Sequence, residues 1–194
     1  MKPSSYSLIL GVALLAGCAT QNATYVDPNG THTLATVNKI NIQDWSNAAE
    51  TMINSLLDSG KVQTHGTEPA ILAISRILNN TTEQIDIDML TKKMRVALNK
   101  SGKMVTTTTQ GLGGAEDPLA KGLQDQEAFI KNTKVTRNPD YTLSGKIIED
   151  RARVGNVRQA SYIFQLSLSS SDGLAVWEEE KTITKQGTKP AAGW

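Results

Sequence analysis

The sequence is poor in the residues that most often build reactive sites. Among 194 residues it has one cysteine and two histidines, and only 5% of its residues are aromatic. Because Cys18 is the only cysteine, no disulfide can form within the chain, and the folded part must be stable through burial alone. His32 and His65 fall in segments that read as loops, so they supply neither a catalytic triad nor a metal-ligand cluster. We therefore expect a protein that is not an enzyme and that holds no metal or cofactor.

An excess of either charge is also missing. The chain has 20 basic and 19 acidic residues, which gives a formal net charge of +1. Such a balance lacks the positive field that drives nucleic-acid binding, so nucleic acid is not an expected partner. The glycine-rich segment 111–114 is not followed by the Lys and Ser or Thr of a phosphate-binding P-loop. We interpret it as a flexible loop.

The first residues have the pattern of a secretory signal peptide. Lys2 precedes an apolar run at 8–14, which is shorter than the about 20 residues that span a bilayer. The sequence Leu15-Ala16-Gly17-Cys18 is similar to a bacterial lipoprotein processing site, which implies cleavage before Cys18 and attachment of lipid to that residue. An ordinary signal peptide that happens to contain a cysteine is the alternative. Ala19, in place of Asp, resembles the sequence of lipoproteins sent to the outer membrane, where the chain would face the periplasm.

The chain divides into four parts by composition. Residues 1–17 are the predicted signal peptide. Residues 18–39 are mostly small or polar without an apolar period, which predicts a lipidated flexible tether. Residues 40–185 are long enough for one globular domain. Residues 186–194 contain two glycines and a proline and are predicted to be a flexible tail.

Helical spacing of apolar residues marks the first part of the domain. A first stripe at 45–57 follows Asp44, a suitable N-cap, and ends at Gly60. A second stripe at 87–98 ends at Gly102. A third helix is predicted near the middle of the chain, and its apolar residues on one side are Leu119, Leu123, Phe129 and Ile130.

Strand patterns alternate with these helices and dominate the last third of the chain. The nearly continuous apolar run at 70–78 predicts a central strand covered on both faces, and the β-branched residues at 103–109 predict a short strand. Alternation at 141–148 and 160–169, followed by a tight turn and 174–183, predicts antiparallel strands. Together these elements predict an α/β fold, a mixed β-sheet of four to five strands packed with amphipathic helices.

Three arginines are candidates for binding a protein partner. Arg151, Arg153 and Arg158 lie around Gly155, where the chain is expected to turn, so they would form a basic hairpin tip. Guanidinium groups make paired hydrogen bonds to carboxylates and are enriched at interfaces. A simple role in solubility explains these arginines equally well.

Trp177 is a further candidate for partner binding. It has the opposite strand parity from Leu174 and Val176, so one of the two sets faces outward. An outward tryptophan would be a hot-spot residue for a partner. The three glutamates at 178–180 are interpreted as charges that guard a solvated edge strand.

Several segments, in their order along the chain, together resemble one family. They are 44–52, the strand from Ala70, the helix end at 97–103, the strand at 139–145 and the segment 172–177. Their order and spacing are similar to those of the LpoB family, the outer-membrane lipoprotein activators of a bifunctional penicillin-binding protein.

The resemblance implies a fold related to the N-terminal domain of TolB and a role in stimulating glycan polymerisation and, through it, peptide crosslinking. It implies a bifunctional penicillin-binding protein as partner and a lipid anchor in the outer membrane. The predicted tether contains only Pro28 and is shorter than the proline-rich linker of the best-known members. An outer-membrane lipoprotein of another assembly or secretion system, related to curli secretion, and a periplasmic ligand-binding module are the alternatives.

Overall fold

A computed structural model describes residues 23–188 except 29, 31, 32, 65, 112–114 and 134–137. The predicted signal peptide, Cys18, His32, His65 and most of the glycine-rich loop therefore lie outside the described residues. The elements are α1 (Ile42–Asp58), β1 (Ala70–Asn80), α2 (Ile87–Ser101), β2 (Met104–Thr106), α3 (Pro118–Lys131), β3 (Tyr141–Val154), β4 (Val157–Ser170) and β5 (Ala175–Thr188). Their order is the predicted one.

The strands form one mixed sheet, as predicted. Its order is β2-β1-β3-β4-β5, with β2, β1 and β3 parallel and with β4 and β5 added antiparallel. β1 lies inside the sheet between β2 and β3, and β3 is the middle strand. β5 is an edge strand, which agrees with the interpretation of its glutamates.

The hydrophobic core lies between one face of the sheet and the helices α1 and α2. Trp45 of α1 meets Phe164 of β4 edge to face, with ring centroids 5.7 Å apart and an interplanar angle of 72°. From β1, Leu72 is fully buried in this core, and Ala73 on the other face is also buried. Coverage of both faces is thus confined to the first half of β1, because Arg76 and the strand end are exposed.

The start of α1 differs from the prediction that Asp44 is its N-cap. The helix begins at Ile42, and the N-cap is Asn41. Asp44 is the third helical residue, where its Oδ2 accepts a hydrogen bond from the backbone N–H of Asn41 over 2.7 Å. This is the reciprocal arrangement of a capping box, in which the acidic side chain three residues inside the helix reaches back to the cap.

The third helix exists as predicted, but its apolar side is not packed. Leu119, Leu123, Phe129 and Ile130 are 59–88% exposed, and α3 has no buried residue among those described. Two features of the sheet account for this. α1 and α2 already cover the apolar face, and the other face carries polar neighbours such as the pair Lys146 and Gln165. The apolar face of the sheet is therefore covered without α3.

The domain extends beyond the predicted limits 40–185 at both ends. Val37 packs against the core, so the last residues of the predicted tether belong to the domain. β5 continues to Thr188, which pairs with Val157, so the predicted tail begins later than residue 186. Residues 189–194 lie outside the described part of the chain.

Candidate partner interface

The β3–β4 hairpin ends in a solvent-exposed turn that we call the hairpin tip, residues 153–158. Gly155, with a φ of 57°, and Asn156 connect the two strands. Val154 and Val157 are paired on either side of this turn and are 81% and 39% exposed. Because successive strand residues point to opposite faces, Val154 and Val157 lie on one face of the hairpin, and Arg153 and Arg158 lie on the other.

Arg153 and Arg158 form a like-charged pair across the hairpin. They are direct cross-strand partners, and the Arg153 Nε donates to the carbonyl oxygen of Gly155 over 3.1 Å. Among the residues that the structure describes, neither arginine pairs with a carboxylate. Because like charges opposite each other on a sheet destabilise it, a carboxylate supplied from outside would be bound favourably here.

Arg151, the third predicted binding residue, is engaged within the domain. Its Nε donates to Glu149 Oε1 over 2.5 Å, and its Nη2 lies 3.3 Å from Glu83 Oε1. The hydrogen bond to Glu149 raises the pKa of Arg151. Arg151 therefore pairs within the domain at the base of the hairpin, which leaves Arg153 and Arg158 as candidate residues for binding a partner.

Glu149 is the centre of this small network. Its side chain is 2% exposed and accepts hydrogen bonds from the backbone N–H of Thr82 over 2.9 Å and from the Thr82 hydroxyl over 2.7 Å. Desolvation by burial raises the pKa of Glu149, but the hydrogen bonds from Thr82 and Arg151 outweigh it and leave the pKa below its usual value. The carboxylate is thus stabilised in its charged form.

Glu149→Gln should lower the free energy of unfolding at neutral pH by about 1.5–3 kcal/mol, the usual value of a hydrogen bond to a charged group. Because the folded-state pKa of Glu149 is lowered, its contribution is complete above the unfolded-state value of about 4.3 and disappears as the pH falls through the lower folded-state value. Urea unfolding between pH 7 and acid should therefore show the two proteins converging at low pH. A difference independent of pH would contradict the charged network.

Trp177 is not on the surface, so its proposed role as an outward hot-spot residue is wrong. It is 8% exposed, belongs to the core and lies opposite Leu168 of β4. Of the other set, Leu174 is 63% exposed, whereas Val176 is half-buried and packs against the core. The buried face accommodates the large indole because α1 packs on the same side of β5.

The glutamates of β5 have partners within the domain. Glu178 accepts from the Ser167 hydroxyl over 2.8 Å, and Glu180 accepts from Gln165 Nε2 over 2.6 Å. Glu179, on the opposite face, accepts from the Ser55 hydroxyl of α1. Glu179 therefore lies on the same face of β5 as Trp177, as strand parity predicts.

A concavity of about 710 Å³ lies on the polar face of the sheet. Arg76 and Lys146 line it together with Glu178 and Glu180, so charges of both signs oppose each other there. It has no aromatic lining of the kind that glycan-binding sites use.

Within the described part of the chain, no three His, Cys, Asp or Glu side chains are grouped to hold a metal ion. Of the helices described, none has the length and apolar character needed to cross a bilayer.

One buried cluster was missed by the sequence analysis. Lys185 Nζ donates to Asp44 Oδ2 over 2.6 Å and lies 5.2 Å from the centroid of the Tyr162 ring. Desolvation by burial raises the pKa of Tyr162 to about 12. Strand parity could have indicated that Lys185 is buried, because it places Lys185 on the same face of β5 as Ile183, which is the side of the core. Its partner is 141 residues away in sequence, so no local pattern identifies it.

Comparison with known proteins gives one family match and several structural likenesses. The LpoB C-terminal domain from Salmonella enterica is 18% identical, covers 72% of this chain and 98% of its own, and has a TM-score of 0.43. The same domain from Escherichia coli is 16% identical, with 72% and 98% coverage and a TM-score of 0.42. Lipoprotein GNA1162 from Neisseria meningitidis is 12% identical, with 61% and 84% coverage and a TM-score of 0.36. Among curated protein sequences, none matches this chain significantly.

The family match carries the assignment, since the TM-scores are low. The model of the family described as "Peptidoglycan-synthase activator LpoB" matches residues 44–183, which is nearly the whole folded domain from α1 to β5. This chain belongs to the LpoB family of peptidoglycan-synthase activators.

Proposed function

We propose that this chain is an outer-membrane lipoprotein that binds a bifunctional penicillin-binding protein in the periplasm and raises its rate of glycan polymerisation. The observation that carries the proposal is the family match over 44–183. Because the family is one of synthase activators, the chain is a regulatory protein rather than an enzyme, as the scarcity of reactive residues predicted. The sequence around Cys18 supports the lipid anchor, and the resemblance to the family supports the bifunctional character of the partner.

The length of the tether limits how far from the membrane the domain can bind its partner. Gln43 of α1 donates a hydrogen bond to the carbonyl oxygen of Gly30, so if Cys18 carries lipid and residues 18–29 are flexible, they span about 17–21 Å on average and about 40 Å at full stretch. The domain would then remain close to the outer membrane. We infer that the synthase must expose its binding surface within this distance of that membrane.

The hairpin tip is the surface we assign to the partner. It presents Arg153 and Arg158 side by side on one face of the hairpin, and neither pairs with a carboxylate among the described residues. The face that carries the arginines is complementary to a protein surface that presents carboxylates. We therefore expect the synthase to contribute acidic residues to the contact.

Reversing both charges with Arg153→Glu/Arg158→Glu should weaken binding of the purified synthase about tenfold at low salt, which corresponds to about 1.4 kcal/mol. It should also flatten the salt dependence of Kd, because the charge attraction is lost. The measurement is a titration of the full chain in detergent against the bifunctional penicillin-binding protein of the same bacterium, at low and at high salt.

A matched control changes the net charge by the same amount elsewhere. Lys61→Glu/Lys100→Glu alters two exposed lysines outside the hairpin tip and should leave Kd nearly unchanged. An equal loss of affinity in both double variants would show that overall charge causes the effect, and it would contradict the assigned surface. If the unaltered chain shows no binding at low salt, the activator proposal itself is wrong and a lipoprotein of a secretion system becomes the better account.

A further inference from the structure

The segment before α1 is fixed onto the end of the sheet. Residues 36–41, which we call the strap, cross the ends of β4 and β5. The carbonyl oxygen of Val37 accepts a hydrogen bond from the Tyr162 hydroxyl over 3.4 Å. Val37 also lies directly on the backbone of Gly187: a Cβ atom placed on Gly187 would be 2.5 Å from Val37 Cγ2. Gly187 thus leaves the space that the Val37 side chain fills.

Lys185 holds the other end of the strap. Its Nζ donates to Asn41 Oδ1 over 2.8 Å, to Asp44 Oδ2 over 2.6 Å and to the backbone oxygen of Lys39. The ammonium group can donate three hydrogen bonds, and these three acceptors use all of them. The side chains of Lys185 and Asp44 are only 13% and 11% exposed, so solvent weakens the ion pair little.

The strap lies beside the hairpin tip. Arg153 pairs with Arg158 on β4, and Arg158 pairs in turn with Gly187 on β5. These three positions form one row across the sheet, and Val37 lies on the last of them. The strap therefore lies next to the row that contains the two arginines. The strap itself carries one further exposed cation, Lys39.

We propose that the strap and the hairpin tip form one composite surface for the acidic partner, and that Lys185 and Gly187 are positioning residues that hold the strap in place. The inference rests on the proposed function and deepens it. A strap that is ordered before binding loses little conformational entropy in the complex, which favours affinity.

The test uses a substitution that displaces the strap without touching the arginines. Gly187→Ala introduces a Cβ that collides with Val37 Cγ2 at 2.5 Å, and the next neighbour of that Cβ position, Val37 Cβ at 3.8 Å, belongs to the same side chain. Hydrogen–deuterium exchange of residues 36–41 should accelerate, and the Kd for the purified synthase should rise about tenfold. The matched control is Val37→Ala/Gly187→Ala, which removes the colliding methyl and should restore slow exchange and binding. Lys185→Met removes the ammonium group that binds the strap, so it should also free the strap.

Each outcome decides the proposal. Faster exchange in Gly187→Ala with an unchanged or lower Kd would show that the strap is not part of the binding surface. Unchanged exchange in both Gly187→Ala and Lys185→Met would show that these residues do not hold the strap. Either result overturns the composite surface while leaving the proposed function intact, because the unaltered chain still binds. Absence of binding by the unaltered chain contradicts the proposed function instead, and it is recorded separately from strap exchange.

Discussion

Replacing Cys18 with serine should remove nearly all of this protein from the outer-membrane fraction. Serine has no sulfur to accept the diacylglycerol, and without it the chain stays unprocessed or is released into the periplasm. Each buried methylene contributes about 0.8 kcal/mol, so several acyl chains together hold a domain on a membrane almost permanently. No other cysteine in the chain can replace this anchor. Fractionation of cell envelopes with immunodetection measures the effect.

The Cys18→Ser domain should itself remain intact, since Cys18 precedes every described residue of the fold. Its thermal unfolding should match that of the unaltered chain, while activation of the synthase in cells is lost. Thr20→Ser, two residues further on, serves as the matched control and should remain in the outer membrane. If Cys18→Ser stays in the outer membrane as well, the lipoprotein interpretation is wrong.

Phe164→Ala should destabilise the domain by about 3–5 kcal/mol, the range for removing a buried phenylalanine. Phe164 is 1% exposed, lies on β4 between β3 and β5, and contacts Trp45 of α1 edge to face. The substitution leaves a cavity between the sheet and α1. Because a domain has a total margin of about 5–15 kcal/mol, a large share of its stability is lost. Urea unfolding gives the free energy directly.

The only other phenylalanine supplies the control for this experiment. Phe129 of α3 is 88% exposed, so Phe129→Ala should change the free energy of unfolding by less than about 0.5 kcal/mol. Equal destabilisation by the two substitutions would contradict the placement of the core between the sheet, α1 and α2. It would also show that α3 is packed, contrary to the exposure of its apolar side.

Local patterns were sufficient for the elements and their order. The helical stripe from Trp45 and the alternation around Tyr162 both lead to buried faces, because burial enforces periods of 3.6 and 2 respectively. The same patterns could not predict that α3 leaves its apolar residues in water. That outcome depends on which sheet faces α1 and α2 already occupy, and no pattern within α3 contains this information.

The candidate interface was predictable only in part. The turn at Gly155 and the clustering of arginines are local features, and both are present in the hairpin tip. The pairing of Arg151 with Glu149 was also within reach, because residues two apart share a face of a strand. The contact of Arg151 with Glu83 joins residues 68 apart, and the strap depends on equally distant partners. Such contacts follow from the assembled fold alone.

We expect this chain to raise the rate of glycan polymerisation without performing chemistry itself. Its most direct test is the rate at which the purified bifunctional penicillin-binding protein of the same bacterium consumes lipid II, with and without saturating amounts of the full chain in detergent. We expect a faster rate with the chain, a smaller gain with Arg153→Glu/Arg158→Glu at the same concentration, and no consumption of lipid II by the chain alone. A rate that the unaltered chain leaves unchanged at saturation would contradict the account.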